Sequence, residues 1–156
     1  MLRNLLTILF LSSSSFAASS GYDVKSSNIS ANEQVTNLYN KAYELVYDKK
    51  FDKSIKLLEK IANRKDLGEK KADVFNLLGF SYRKHKKPDL DKAFNAYTIA
   101  LNANPKHLGA HEYLGELYIT LGKIDKANEM LVKLESIGGN NTSEYLKLKE
   151  TIDGLE

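Results

Sequence analysis

Small and large residues between Ala72 and Pro105 fall in the order that one helical hairpin requires, and the flanking segments repeat that order. Gly79 and Tyr82 sit three apart, Ala93, Tyr97 and Ala100 follow at intervals of four and three, and Asn104-Pro105 closes the stretch. Spacings of three and four place residues on one helix face. Small residues at Gly79 and Ala93 let two antiparallel helices approach closely, with Tyr82 and Tyr97 filling the space beside them. Aligned on such residues, Ala42 and Ser54, Gly79 and Ala93, and Gly115 and Ala127 form three successive pairs. Leu45, Tyr82 and Tyr118 lie three after the first member of each pair, and Leu58, Tyr97 and Leu131 lie four after the second. Self-similarity with a period near 34 residues is the mark of a stacked helical solenoid.

The pattern predicts three hairpins, over 35–68, 72–107 and 108–141, and a closing helix over 142–156. Ser30 precedes Glu33 by three, the spacing of a capping box, and starts the first helix; Asn141 and Glu144 are read as a second capping pair. Tyr145, Leu148 and Ile152 give the last apolar stripe. Each hairpin has an apolar face that it cannot bury alone, so the three stack and the final helix covers the last exposed face. Lys86-Lys87-Pro88 makes the second hairpin's turn two residues longer than the others.

The chain opens with Met1-Leu2-Arg3-Asn4, an apolar run from Leu5 to Leu11 and small residues at Ser15, Ala17 and Ala18. This is the pattern of a secretory signal peptide, 1–17, cut after Ala17 or alternatively Ala18, and its apolar core is too short to span a membrane. Residues 18–32, mostly Ser, Asn and Gly at the start, are read as a disordered tether that cannot bury enough surface to offset its ordering entropy. The expected location is therefore the periplasm or the exterior, without stable membrane insertion. The absence of cysteine excludes disulfides, thiolate metal sites, thiol catalysis and a lipid-anchoring cysteine. The whole chain carries a net charge of +3, and removing the leader takes away Arg3 and no acid, leaving +2. The charges are interspersed, as on a solvated helical surface, so nucleic acid is not an expected partner.

Leu78-Gly79, Tyr82, Ala93, Tyr97, Ala100 and Pro105, then Leu114-Gly115, Tyr118, Ala127 and Leu131, resemble the tetratricopeptide repeat. The resemblance covers 35–141 and is stronger in the second and third units, since Lys41-Ala42 replaces Leu-Gly in the first. With the leader and the last helix, the chain is similar to small exported repeat proteins of Gram-negative bacteria. Those often carry cysteines before the final helix, where Gly138-Gly139-Asn140-Asn141 has none. The resemblance implies an all-α fold, a right-handed α-solenoid of three hairpins plus a C-terminal capping helix, whose concave face binds extended peptides or partner proteins. The groove positions it implies are Tyr39, Tyr43 and Tyr47 in the first unit, Asn76, Phe80, Arg83 and Lys84 in the second, and Glu112, Glu116, Ile119 and Thr120 in the third. Asn76 would pair with a peptide backbone, and Arg83 and Lys84 with its acidic groups. The tyrosines offer large contact area and a hydroxyl at low rotamer cost, or else simply pack along their own helix. The carboxylate clamp of chaperone-binding repeats is not matched, because Glu112 and Glu116 stand where bases are needed.

His107 and His111 are four apart, a spacing that suits a metal when a third ligand is near, but Gly115 stands where a zinc-protease helix needs its second histidine. His111 reads instead as a partly buried packing residue whose titration would make the junction of units two and three pH-sensitive. Neither a phosphate loop nor a nucleophile elbow is present, and no cofactor or metal is expected. The leading expectation is a non-catalytic protein- or peptide-binding scaffold. The alternatives are a structural subunit that forms a homo-oligomer through its repeat faces and a binder of cell-wall glycan through the tyrosines.

Overall fold

The computed structural model describes residues 30–155. The predicted leader and nearly all of the predicted tether lie outside those residues. Among the described residues there are seven α-helices: α1 (Ala31–Tyr47), α2 (Phe51–Ala62), α3 (Lys70–Lys84), α4 (Leu90–Ala103), α5 (Leu108–Thr120), α6 (Ile124–Gly138) and α7 (Ser143–Asp153). Side-chain caps mark the starts of α1, α4, α5 and α7. Ser30 Oγ accepts from the Glu33 backbone at 3.2 Å, and Asp89 Oδ1 accepts from the Lys92 backbone at 3.0 Å. Helix α1 therefore begins at Ala31, two residues inside the stretch read as tether, because the Ser30 cap satisfies its first amides. The last cap is Thr142, not Asn141: its backbone is extended and its hydroxyl faces the Tyr145 amide at 3.4 Å.

Helices α1/α2, α3/α4 and α5/α6 pair as hairpins, and the hairpins stack through α2 against α3 and α4 against α5. The first helices also touch along the stack, α1 with α3 and α3 with α5, and α7 continues that row by packing on α5 as well as α6. The fold is an all-α repeat solenoid in which α7 occupies the place of a fourth first helix.

Close approach inside the hairpins depends on the small residues. A Cβ on Gly79 would lie 2.6 Å from Tyr97 Cε1, so the fully buried Tyr97 ring fills the space a side chain would take. A Cβ on Gly115 would meet Leu148 of α7, 2.5 Å from its Cδ2. Ser54, the small residue of the first unit, is buried and donates to the Ala42 carbonyl at 3.3 Å, while its Oγ lies 3.3 Å from Ser81 Oγ. Ser81 is satisfied in turn by the Leu77 carbonyl at 2.8 Å, so this polar contact between the first two hairpins leaves no orphan. The core cluster runs from Val35 through Leu58, Ile61, Leu78 and Tyr97 to Leu114 and Leu117. Among the described residues no helix is long and apolar enough to cross a membrane.

Candidate functional site

The row of first helices forms one face of the stack, and a cavity of about 490 Å³ opens on it between α1, α3 and α5, closed at one end by the turn into α2. Its walls are Tyr43, Val46 and Tyr47 of α1, Phe51 at the start of α2, Leu77, Phe80 and Lys84 of α3, and Tyr113 of α5, with Lys49 on the turn. The helical period places them there. Tyr43 and Phe80 each follow the first small residue of their unit by one, and Leu77 and Tyr113 each precede it by two. Phe80 is the centre of the aromatic floor, with ring centroids 6.4 Å from Phe51 and 5.0 Å from Tyr113. Tyr113 in turn stands 6.2 Å from Tyr97. Tyr47 is 83% exposed and Tyr43 56% exposed, so two large rings stand at the mouth with little protein against them.

The groove residues expected from sequence divide into several groups. Tyr43, Tyr47, Phe80 and Lys84 line the cavity. Tyr39 lies half-buried one turn earlier, with the Lys70 ammonium 5.2 Å from its ring centre. Burial, reinforced by the Asp73 carboxylate, pushes its hydroxyl up to about 12. Asn76, Arg83, Glu112 and Glu116 are committed inside the protein. The Arg83 side chain is only 7% exposed. Its guanidinium is tied to Glu116 and donates through Nε to the Tyr97 hydroxyl at 3.3 Å. Burial disfavours its charge, but Tyr97 and Glu116 outweigh that and hold its pKa above the ordinary value. Arg83 is therefore a stacking anchor between α3, α4 and α5 rather than a free ligand for a partner's acid. Glu116 is its counter-charge.

Glu112 departs furthest from the groove expectation. Its side chain is 4% exposed, covered by α7, and Lys147 Nζ lies 3.9 Å from Oε1. Burial raises its carboxyl to about 7, against the pull of Lys147. Asn76 is half-buried, and its Oδ1 is covered and without a hydrogen-bond partner, so the atom needed to receive a peptide N–H faces inward. Ile119 is half-buried, and Thr120 is exposed with its hydroxyl donating to the Glu116 carbonyl at 2.9 Å. Sequence reasoning missed Phe51, Leu77, Tyr113, Val46 and Lys49. The signal for Leu77 and Tyr113 was their shared place in the repeat, 36 residues apart and two before the small residue of each unit, and the sequence reading assigned that place no role.

His107 and His111 do different jobs. His107 caps α5, its Nδ1 accepting from the Ala110 backbone at 3.0 Å while Nε2 lies 3.2 Å from Asp73 Oδ1. His111 is buried, with Nε2 3.0 Å from the Pro105 carbonyl and Nδ1 unpartnered. Burial lowers its pKa, so the folded protein favours neutral imidazole. Among the described residues no cluster of three His, Cys, Asp or Glu is arranged to hold a metal.

Residues 86–152, which run from the second hairpin's turn through the last helix, match the family model described as tetratricopeptide repeat. That part of the chain carries tetratricopeptide repeats. The solenoid is similar to the first tetratricopeptide repeat domain of Spaghetti (RPAP3) bound to an HSP90 peptide, with a TM-score of 0.67 at 16% identity, covering 82% of this chain and 97% of that one. It is similar to the Yersinia enterocolitica type III secretion chaperone SycD in complex with a peptide of the translocator YopD, with a TM-score of 0.65 at 17% identity over 82% and 92% of the two chains. PcrH in complex with the chaperone-binding region of PopB gives 0.62 at 14% identity over 81% and 98%. At such identities the likeness establishes the fold alone. No curated protein sequence matches the chain. Within this solenoid, the aromatic cavity rather than the polar row of Asn76, Arg83 and Glu112 is the accessible part of the face.

Proposed function

We propose that the chain is a non-catalytic scaffold of the cell envelope that holds a protein or peptide partner against the row of first helices, with the cavity between α1, α3 and α5 as the primary contact. The observation that carries this reading is the cavity itself. It is concave, walled by aromatic and aliphatic side chains, and bordered by two tyrosines that the fold leaves exposed. Apolar concavities with exposed aromatic anchors are where binding energy concentrates. The relatives in fold support it, since several were solved with peptides bound. An envelope location rests on the 1–17 leader pattern.

A photo-crosslinking amino acid introduced at Tyr47 and, separately, at Lys56 in cells tests the reading. Envelope fractions are expected to yield a discrete adduct from position 47 that disappears with Tyr43→Ala, and none from position 56. Both tyrosines are exposed, so neither change disturbs the core. Equal adducts from the two positions, or an adduct at 47 indifferent to Tyr43→Ala, would overturn the groove reading. Recovery of the protein in the cytoplasmic fraction alone would overturn its placement.

A further inference from the structure

The cavity is apolar in its walls but not neutral at its rim. Among the described residues that line it, the charged ones are Lys49 and Lys84, both exposed. Lys84 Nζ sits 5.9 Å from the centre of the Phe80 ring, which holds the ammonium over the cavity floor. Neither lysine is paired with a carboxylate among the described residues. The acids nearest in sequence position on α5 do not offset them, because Glu116 is tied to Arg83 and Glu112 is buried beside Lys147. Asp48, next to Lys49, is held by Lys50 at 2.7 Å.

The backbone at Lys49 is a second, independent observation. Its φ is +57°, in the left-handed region that a side chain with a Cβ rarely adopts. The third unit makes the same turn with Gly122 at φ +69°. The two turns are bonded alike: Lys49 N to the Val46 carbonyl at 2.9 Å and Lys50 N to the Leu45 carbonyl at 2.8 Å, against Gly122 N to Ile119 at 2.9 Å and Lys123 N to Tyr118 at 2.8 Å. Glycine satisfies this turn without strain, and the chain uses it in the third unit. In the first unit it keeps a strained lysine, and that is the turn whose side chain lines the cavity.

We infer that the cavity takes an aromatic or branched aliphatic side chain from a partner polypeptide in which a carboxylate-bearing residue stands next to that side chain, and that Lys49 and Lys84 receive the carboxylate. This rests on the groove reading above and adds the charge of its ligand. The apolar side chain gains by leaving water among Phe80, Tyr113 and Tyr47, while the lysines discriminate between acidic and other neighbours.

The test is an NMR titration of the purified protein with acetyl-Gly-Asp-Phe-Asp-Gly-amide and with its counterpart carrying Asn for both Asp residues. The acidic probe is expected to shift the amides around Tyr43 and Phe80 and to bind about fivefold more tightly than the Asn probe at low salt, with the margin shrinking as salt screens the lysines. Lys49→Gly is expected to reduce that margin while raising Tm by a few degrees, because glycine relieves the left-handed strain. Lys84→Gln is expected to reduce the margin without that rise. A lysine serving only the turn would give the Tm rise and leave the margin intact. Equal binding of the two probes, or a margin unchanged in both variants, overturns the inference and leaves the groove reading standing. If neither probe shifts groove amides, the inference fails and the groove reading is decided by the crosslinking at position 47.

Discussion

Glu112 has almost no water around it beneath α7, and Lys147 Nζ lies 3.9 Å from its carboxylate at the surface. Its carboxyl moves from an ordinary value of 4.5 up to about 7 through burial, with Glu116 and Glu144 adding repulsion and Lys147 and Arg83 opposing. Between those two pH values the folded state holds more protons than the unfolded one, so stability falls as pH rises from 4.5 through 7 and levels off above. Glu112→Gln removes the ionising group and keeps the shape. The variant is expected to melt higher than the parent at pH 8, by on the order of 1–3 kcal/mol, and to converge on it at pH 5. Melts at the two pH values check this, and a difference that does not change with pH would refute it. His111 works in the opposite direction. Burial lowers its pKa, so its contribution is lost as pH falls through the ordinary value of 6.5, when the unfolded chain takes up a proton that the folded one resists. The packing role of His111 was legible in the sequence, since it sits on the apolar side of α5. The burial of Glu112 was not, because nothing in the pattern of α5 shows that α7 covers that position.

At the scale of elements, the hairpins were legible because close approach demands small residues at fixed intervals. Gly79 faces Tyr97 as the spacing required, and the five-residue turn between α3 and α4 was visible in Lys86-Lys87-Pro88. The role of α7 was only half legible. Its apolar stripe predicts a cap, yet it packs on α5 as α5 packs on α3, and it puts Leu148 where Gly115 leaves room. That geometry makes Leu148, fully buried, the residue joining the last helix to the array. Leu148→Ala would leave a cavity against Gly115, which has no side chain with which to fill it. The expected loss is about 2–5 kcal/mol, read as a lower urea midpoint. Leu146→Ala, on an exposed position of the same helix, is expected to change the midpoint little, and equal losses from the two would mean that α7 does not seat on α5 through Leu148.

The whole molecule is a one-dimensional array, and that too was legible, since a period near 34 residues leaves each hairpin dependent on its neighbours. The distribution of the core was not legible. One buried cluster runs from Val35 in α1 to Leu117 in α5, whereas Ala127, Leu134 and Leu148 of α6 and α7 are buried outside it. The middle hairpin is covered on both sides, with α2 against α3 and α5 against α4, while the C-terminal end is held through α5 and the contacts of α6 with α7. In such an array each helix opens at a cost set by its own contacts and those to its neighbours, so the end with fewer shared contacts opens first. Native-state hydrogen exchange is therefore expected to show graded opening. Amides of α3 and α4 should exchange only near the global unfolding free energy, and those of α7 should open at a lower free energy, followed by α6. Burial of Glu112 is lost when α7 opens and in global unfolding alike, so its titration between pH 5 and 8 should lower the opening free energies of α7 and of α3 and α4 by a similar amount. Identical opening free energies from α1 to α7 would show that the array unfolds as a single unit and that α7 is no weaker than the hairpins it covers.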